Sequence, residues 1–227
     1  IPTYNPVKED MCHCIDDIKR QPIETEIIII NDCSTEWPFN MGAVDGDIIS
    51  VNVLDEQENL LRKWEVTIFK TKTNAGPGAA RNIGLERATG EWIIFLDSDD
   101  QLAPDALQKL AEYISASPLS VDVIGYDWAW TDSPRVNQRK DGKCLLLPRT
   151  ELLQEYMKLH MDGSVIYTAF KRELIKDMRF RDGYHEDVDF LFEALAASTR
   201  PTYFPEVLYL KRDREGSIVN TISEKHI

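Results

Sequence analysis

Residues 92–96, Trp-Ile-Ile-Phe-Leu, run without polar alternation straight into Asp97-Ser98-Asp99-Asp100. An unbroken apolar stretch of this length reads as a strand of a parallel sheet, covered on both faces. Three carboxylates within four positions at the end of such a strand repel one another in a partly dry crevice. A hard divalent cation with oxygen ligands relieves that repulsion, and such a cation commonly also holds a phosphate. The competing reading is a solvated acidic loop capping the helix that starts near Pro104.

The flanking pattern supports a strand-end site. Val7–Arg20 has the apolar spacing of an amphipathic helix, with Val7, Met11, Cys14, Ile15 and Ile18 on one stripe. Glu26–Asn31, with four consecutive isoleucines, reads as a buried strand ending at Asp32. Trp37–Lys63 is polar and irregular, with a short strand expected at Ile48–Val53. Trp64–Lys70 is a further strand, and Gly76-Pro77-Gly78 opens a helix that runs to about Ala88. Pro104–Ala116 predicts the next helix and Val121–Asp127 the next strand. Beyond it a β excursion is expected over Trp128–Leu147, turning at Asp141-Gly142. Helices are expected at Arg149–His160, Lys171–Asp177 and Glu186–Ser198, then two short strands, Thr202–Phe204 and Val207–Lys211.

Alternating strands and helices through residue 127 predict an α/β fold: a mostly parallel central sheet with right-handed crossovers, flanked by helices. Ligands of such sheets sit beyond the carboxyl ends of the strands. Thr3 and Tyr4, Asp32, and Asp97 with Asp99 all fall at those ends.

Composition narrows the partners. A chain of 227 residues, 43% hydrophobic and 29% charged, is ample for one large domain with a full core. The formal net charge of −13 argues against nucleic acid, which is bound through an excess of Lys and Arg. It also requires a metal or a local basic group wherever an anionic substrate binds. No apolar run approaches membrane-span length. The chain opens without an initiator Met on what reads as a strand end, so further segments are expected at both ends. Cys12, Cys14, Cys33 and Cys144 make no disulfide framework for this length, and reduced cytosolic thiols are expected. Cys12 and Cys14 lie about 200° apart on a helix, so they cannot share one ion.

Taken together, Ile1-Pro2-Thr3-Tyr4-Asn5, Ile30-Asn31-Asp32-Cys33-Ser34-Thr35, Asn74–Gly84, Leu96-Asp97-Ser98-Asp99-Asp100 and Glu186-Asp187 resemble, in order and spacing, the family 2 glycosyltransferases with the GT-A fold. The resemblance covers Ile1 to about Asn220. It implies one GT-A domain with residues 1–127 as the nucleotide-sugar half. Residues 128–227 would form the acceptor and catalytic-base half, a C-terminal annex to the sheet. It also implies an inverting transfer from a nucleotide-diphosphate sugar, UDP-linked above all, to a hydroxyl of a saccharide or lipid-linked acceptor. The commonest setting of such enzymes is bacterial surface polysaccharide assembly, in the cytoplasm or at the inner face of the membrane.

The resemblance assigns residue roles. Asp32 would accept a hydrogen bond from the base, with Thr3 and Tyr4 bordering it; the family often has a second Asp where Asn31 stands. Asp97-Ser98-Asp99 would be the DxD element, Asp97 facing ribose and metal and Asp99 ligating Mg²⁺ or Mn²⁺. Asp100 would cap the following helix or support the site. Arg81 would reach the nucleotide or pair with Asp32. Asp187 would be the general base and Glu186 would orient the acceptor or the base, with His185 a lesser phosphate donor. Arg212 or Arg214, in a basic segment near the end, would contact the diphosphate.

Gly76-Pro77-Gly78 is no dinucleotide fingerprint, because position 81, where a third glycine belongs, is Arg81. A nucleotidyltransferase would want a glycine- and basic-rich loop after the first strand, whereas Thr3-Tyr4-Asn5-Pro6 has only Lys8 beyond it. A non-catalytic sugar-binding module would not need Asp32, Asp97, Asp99 and Asp187 together. Trp128, Trp130, Tyr156 and Tyr167 are candidates to stack on an acceptor sugar, with core packing the alternative.

Overall fold

The computed structural model describes residues 1–39, 48–54, 60–117, 120–131, 136–137, 148–157, 164–183 and 185–212. Strands β1 (Pro2–Thr3), β2 (Ile28–Asn31), β3 (Ile48–Leu54) and β4 (Leu60–Lys70) form one sheet in the order β1-β2-β4-β3. β1 and β4 both run parallel to β2, while β3 is antiparallel to β4. The register sets Thr3, Asn31 and Lys70 side by side, so three strand ends open on one edge.

Helix α1 (Lys8–Arg20) connects β1 to β2 and buries Met11, Cys14, Ile15 and Ile18 of the predicted stripe, whereas Val7, the residue before the helix, is exposed. Glu9 and Asp10 in its first turn and Lys19 and Arg20 in its last suit the helix dipole. Helix α2 (Gly76–Arg87) follows β4, entered through Gly76 at φ +89°, a left-handed conformation that favours glycine.

A second sheet is built from β5 (Trp92–Ile94), β6 (Gln101–Leu102), β7 (Val123–Trp130), β8 (Val136–Asn137), β9 (Thr168–Lys171) and β10 (Pro201–Lys211). Its order is β5-β9-β7-β10-β6, with β8 on β7. β7 and β10 are parallel, and the other pairs are antiparallel. Helices α3 (Ala106–Ala116), α4 (Arg149–Met157), α5 (Arg172–Ile175) and α6 (Glu186–Ala197), with a 3-10 turn at Val165–Tyr167, are the remaining elements among the described residues.

Several elements differ from the sequence reading. β4 begins at Leu60 and pairs with β3, so 48–54 and 60–70 form an antiparallel ladder rather than an irregular excursion. The two expected C-terminal strands are one, β10, whose register shifts between Phe204 and Val207 absorb Pro205. β6 and β9 were not expected, and Lys171 ends β9 instead of opening a helix. The turn at Asp141-Gly142 lies outside the described residues.

An aromatic knot fixes the acidic strand end in space. Phe95, 5% exposed, meets Phe170 of β9, Phe180 and Phe190 of α6 edge-on, with ring centroids 5.3–6.0 Å apart. Phe180 and Phe190 stack at 4.0 Å. Leu96 is also buried, so the chain emerges from this core directly at Asp97.

Candidate active site

Asp97 leaves the core half-exposed and is met by Arg81 of α2, whose Nη2 lies 3.0 Å from Asp97 Oδ1. The other end of the guanidinium, Nη1, donates to Glu186 Oε1 at 2.9 Å. Arg81 is only 7% exposed, and its face lies over the Phe180 ring at 5.7 Å. Burial opposes its charge, but the Asp97 and Glu186 carboxylates outweigh that and hold its pKa above the ordinary value. Arg81 therefore joins the end of the apolar strand to the start of α6. It does not pair with Asp32, as the sequence reading allowed.

Gly78 makes this approach of α2 and α6 possible. A Cβ added there would stand 2.8 Å from Glu186 Cγ and 3.3 Å from Phe180 Cβ. The glycine serves helix packing, one turn ahead of the arginine.

Asp187 is the second residue of α6, which follows His185 in a left-handed conformation at φ +64°. Ser164 Oγ donates to Asp187 Oδ2 at 2.8 Å, and the Val188 N–H donates to Oδ1 at 3.0 Å. The two adjacent acids thus differ in kind. Glu186 is tied to a permanent cation, whereas Asp187 takes its bonds from neutral donors.

Asp100 is buried and does not cap α3, which begins at Ala106 behind Asp105. It accepts instead from the Tyr209 hydroxyl at 2.6 Å and from the Arg212 N–H at 2.8 Å. Burial pushes its pKa up to about 7 against those two donors. Burial and the neighbouring Asp97 and Asp100 raise the Tyr209 phenol well above its usual range, so it stays a donor. The Arg212 side chain pairs with Asp10 of α1 and lies 3.4 Å from His13 Nδ1. Arg214 lies outside the described residues.

On the other side of the opening, Asp32 is 3% exposed. Its oxygens accept from Thr71 Oγ1 at 2.9 Å and from the Ala75 and Gly76 N–H groups at 3.0 and 2.7 Å, at the N-terminus of α2. A base N–H reaching this carboxylate must share an acceptor with that loop. Asn31, the last residue of β2, holds the loop that follows, its Oδ1 accepting from the Ser34 N–H at 2.8 Å. Thr3 is buried with no hydrogen-bond partner for its hydroxyl among the described residues, and Tyr4 is 51% exposed.

A divalent ion fits this donor set. Asp97 gives one oxygen to Arg81 and has no bond to the other among the described residues. Ser98 and Asp99 beside it are only partly buried. No three His, Cys, Asp or Glu side chains converge on a metal site among the described residues. An ion at Asp97 and Asp99 would be held by one or two carboxylates and completed by phosphates and water, a coordination that Mg²⁺ accepts.

Ser164 is the site residue that the sequence left unnoticed, since no motif surrounds it. Of the four aromatic candidates, Tyr156 and Tyr167 are core, at 7% and 4% exposed. Trp128 and Trp130 are half-buried, with Lys211 Nζ over both rings at 5.8 and 5.6 Å.

The sequence profile described as Glycosyl transferase family 2 matches residues 44–179, more than half of the chain, and the chain belongs to that family. It is similar to an uncharacterized glycosyltransferase of Haemophilus influenzae, 34% identical over 172 residues that cover 75% of this chain and 60% of that protein. The succinoglycan biosynthesis protein ExoO of Rhizobium meliloti is 26% identical over 220 residues, 92% of this chain and 58% of that one. The crystal structure of Staphylococcus aureus TarS 1–349 in complex with UDP-GlcNAc superposes with a TM-score of 0.72 at 19% identity, covering 98% of this chain and 60% of that one. PcManGT from Pyrobaculum calidifontis, in complex with GDP-Man and Mn²⁺, gives 0.57 at 18% identity over 95% of this chain and 56% of that one. These structures establish the GT-A fold. The chain spans about three-fifths of the length of these relatives.

Proposed function

We propose that the protein is a metal-dependent, inverting glycosyltransferase of polysaccharide or glycoconjugate synthesis. Its donor would be a UDP-sugar and its acceptor a hydroxyl of a saccharide or lipid-linked saccharide. One observation carries the reading: the Arg81 guanidinium bridges Asp97, at the donor end of the sheet, to Glu186, whose neighbour Asp187 is held by neutral donors alone. Glu186 has its Oε1 engaged by the guanidinium that ties the two halves, whereas both Asp187 oxygens, each with a single neutral donor, keep a lone pair for an acceptor hydroxyl. Asp187 is therefore the base, and Glu186 a tie between the two halves.

In this reading Thr3, Tyr4 and Asp32 border the base of the nucleotide. Asp97 and Asp99, with Ser98 between them, hold Mg²⁺ or Mn²⁺, and Arg212 stands beside the diphosphate. The ion, when bound, neutralises charge on the departing nucleotide diphosphate. Asp187 takes the acceptor's hydroxyl proton as that oxygen bonds to the anomeric carbon from the face opposite the diphosphate. The bond from the anomeric carbon to the diphosphate oxygen breaks, and configuration inverts. TarS, bound to UDP-GlcNAc, supports a UDP-sugar, and the Mn²⁺ of PcManGT supports the metal. No helix among the described residues is long and apolar enough to cross a membrane; a lipid-linked acceptor would be met at the inner membrane face.

The test is a screen of UDP-, GDP-, CDP- and dTDP-sugars for hydrolysis and binding with Mn²⁺ present, followed by calorimetry with chelator. UDP-sugar turnover with loss of binding in chelator is expected. Equal UDP binding with and without metal would remove Asp97 and Asp99 from the ion. Full transfer by Asp187→Asn would remove the base.

A further inference from the structure

We infer that Ser164 is a positioning residue for the Asp187 carboxylate, fixing its orientation for proton transfer; the inference rests on Asp187 being the base. The two bonds to Asp187 are not equivalent. The Val188 N–H belongs to the next residue of the same helix, so that bond travels with α6 and orients the carboxylate only relative to its own backbone. Ser164 lies 23 residues away on another part of the chain and is the side-chain partner that ties the carboxylate to the rest of the molecule.

The hydroxyl comes from a firmly held piece of backbone. Ser164 directly precedes a 3-10 turn, Val165–Tyr167, whose three side chains are all at most 5% exposed. The Ser164 carbonyl accepts from the Tyr167 N–H at 3.3 Å. Tyr126 of β7 donates its hydroxyl to the Ile166 carbonyl at 3.0 Å. Tyr167 stacks on Trp128 at 5.1 Å and meets Tyr209 edge-on at 5.2 Å. Tyr209 in turn donates to Asp100, in the loop after β5 that also carries Asp97 and Asp99. The base is thereby referenced to the same core that carries the metal-side carboxylates.

Ser164 is not needed to dock α6. The Arg81–Glu186 pair holds the helix start, and Phe190 and Leu191 anchor it in the core at 1% and 2% exposed. What the serine adds is a second, long-range bond that fixes the carboxylate relative to the rest of the molecule as well as to its own helix. A hydroxyl does so without neutralising the charge, which a lysine or arginine at this place would do. Each carboxylate oxygen accepts two bonds, so both retain room for the acceptor hydroxyl.

The experiment measures hydrolysis of UDP-GlcNAc, GDP-mannose and the other nucleotide sugars of the screen with Mn²⁺, using whichever the parent turns over fastest. Ser164→Ala should lower kcat about tenfold with the donor KM within about twofold, since misplacing a catalytic group costs turnover more than binding. Ser164→Thr, which keeps the hydroxyl, should recover most of that loss, and Ser164→Val, its isostere without one, should not. In an Asp187→Asn background Ser164→Ala should add no further loss. Circular-dichroism melting of every variant separates folding from chemistry. Asp187→Asn inactive with Ser164→Ala within twofold of the parent would overturn the positioning role alone, as would equal activity of the Thr and Val variants. Asp187→Asn fully active, or a parent that hydrolyses no nucleotide sugar, would overturn the base and the inference together.

Discussion

Arg81 shows how much one side chain decides here. It is buried, and it neutralises carboxylates 16 and 105 residues away in sequence. Arg81→Met should destabilise the protein by about 2–4 kcal/mol in urea unfolding, because Glu186 is left charged and nearly buried. Arg81→Lys should recover only part, since one ammonium cannot fork between two partners. A loss below about 0.5 kcal/mol for the Met variant would mean that the bridge does not form. The sequence singled out Arg81 beside the strand ends but offered no sign that it would bridge Asp97 to Glu186, at a helix start far along the chain. Asp100 misled in the same manner: its position before a helix suggested capping, whereas Tyr209 and Arg212, over a hundred residues on, claim it. Its pKa of about 7 has a consequence for stability in the absence of divalent ions. The folded state resists ionisation of Asp100 that the unfolded chain undergoes near 3.8, so its burial is tolerated below pH 4 and costs increasing stability up to about pH 7. Asp100→Asn can still accept from the Arg212 N–H and donate to the Tyr209 oxygen. Its stability relative to the parent, measured in EDTA, should therefore rise between pH 4 and pH 7, by roughly 3–4 kcal/mol at about 1.4 kcal/mol per pH unit. A pH-independent difference would show that Asp100 is ionised throughout.

At the level of elements, the site depends on α2 and α6 lying close enough for Arg81 to reach Glu186. Gly78→Ala puts a methyl group 2.8 Å from Glu186 Cγ, beside the buried Phe180. Relief requires the α6 start to shift, and the expected cost is about 1–3 kcal/mol, as for an overpacked core. Glu186→Ala removes the Cγ, so the double variant should cost less than the two single ones added, a coupling readable by thermal melts. Additive costs would mean that the helices separate freely. Helix α1 was legible because its apolar stripe, Met11, Cys14, Ile15 and Ile18, repeats over two turns. The second sheet was not. β6 is two residues long, and β9, Thr-Ala-Phe-Lys, is too short to show alternation. Pro205 divides β10 in the sequence, and only the bulge shows that pairing with β7 continues past it. The acids at strand ends were legible because the strands feeding them are apolar runs. Ser164 was not, because its role exists only through the packing of a turn beneath α6.

Across the whole molecule, charge sets the order in which ligands can bind. The chain has a formal net charge of −13, and in the proposed reading Asp97 and Asp99, partly exposed, face a diphosphate that is itself anionic. Arg81 is already committed to Asp97 and Glu186, and Arg212 to Asp10. Two like charges about 4 Å apart repel by about 1 kcal/mol in water and about 4 kcal/mol at the effective dielectric of a protein surface. UDP alone should therefore bind poorly. Mn²⁺ alone, held by one or two carboxylates, should also bind weakly. Together each removes the other's obstacle, and linkage requires that Mn²⁺ raise the affinity for UDP by the same factor as UDP raises that for Mn²⁺. In thermal melts, UDP in EDTA should shift the midpoint by less than about 1 °C. UDP with Mn²⁺, at a hundredfold excess over Kd, should shift it by about 5–10 °C. Asp99→Asn should abolish the joint shift while leaving the ligand-free midpoint within about 1 °C, because that carboxylate is only partly buried. Raising salt from 0.02 to about 0.3 M should strengthen the metal-free UDP interaction, since screening shortens the reach of the repulsion to below about 10 Å. Metal-free UDP binding that instead weakens with salt would mean that free cationic groups greet the nucleotide, and the ordering by charge would be wrong.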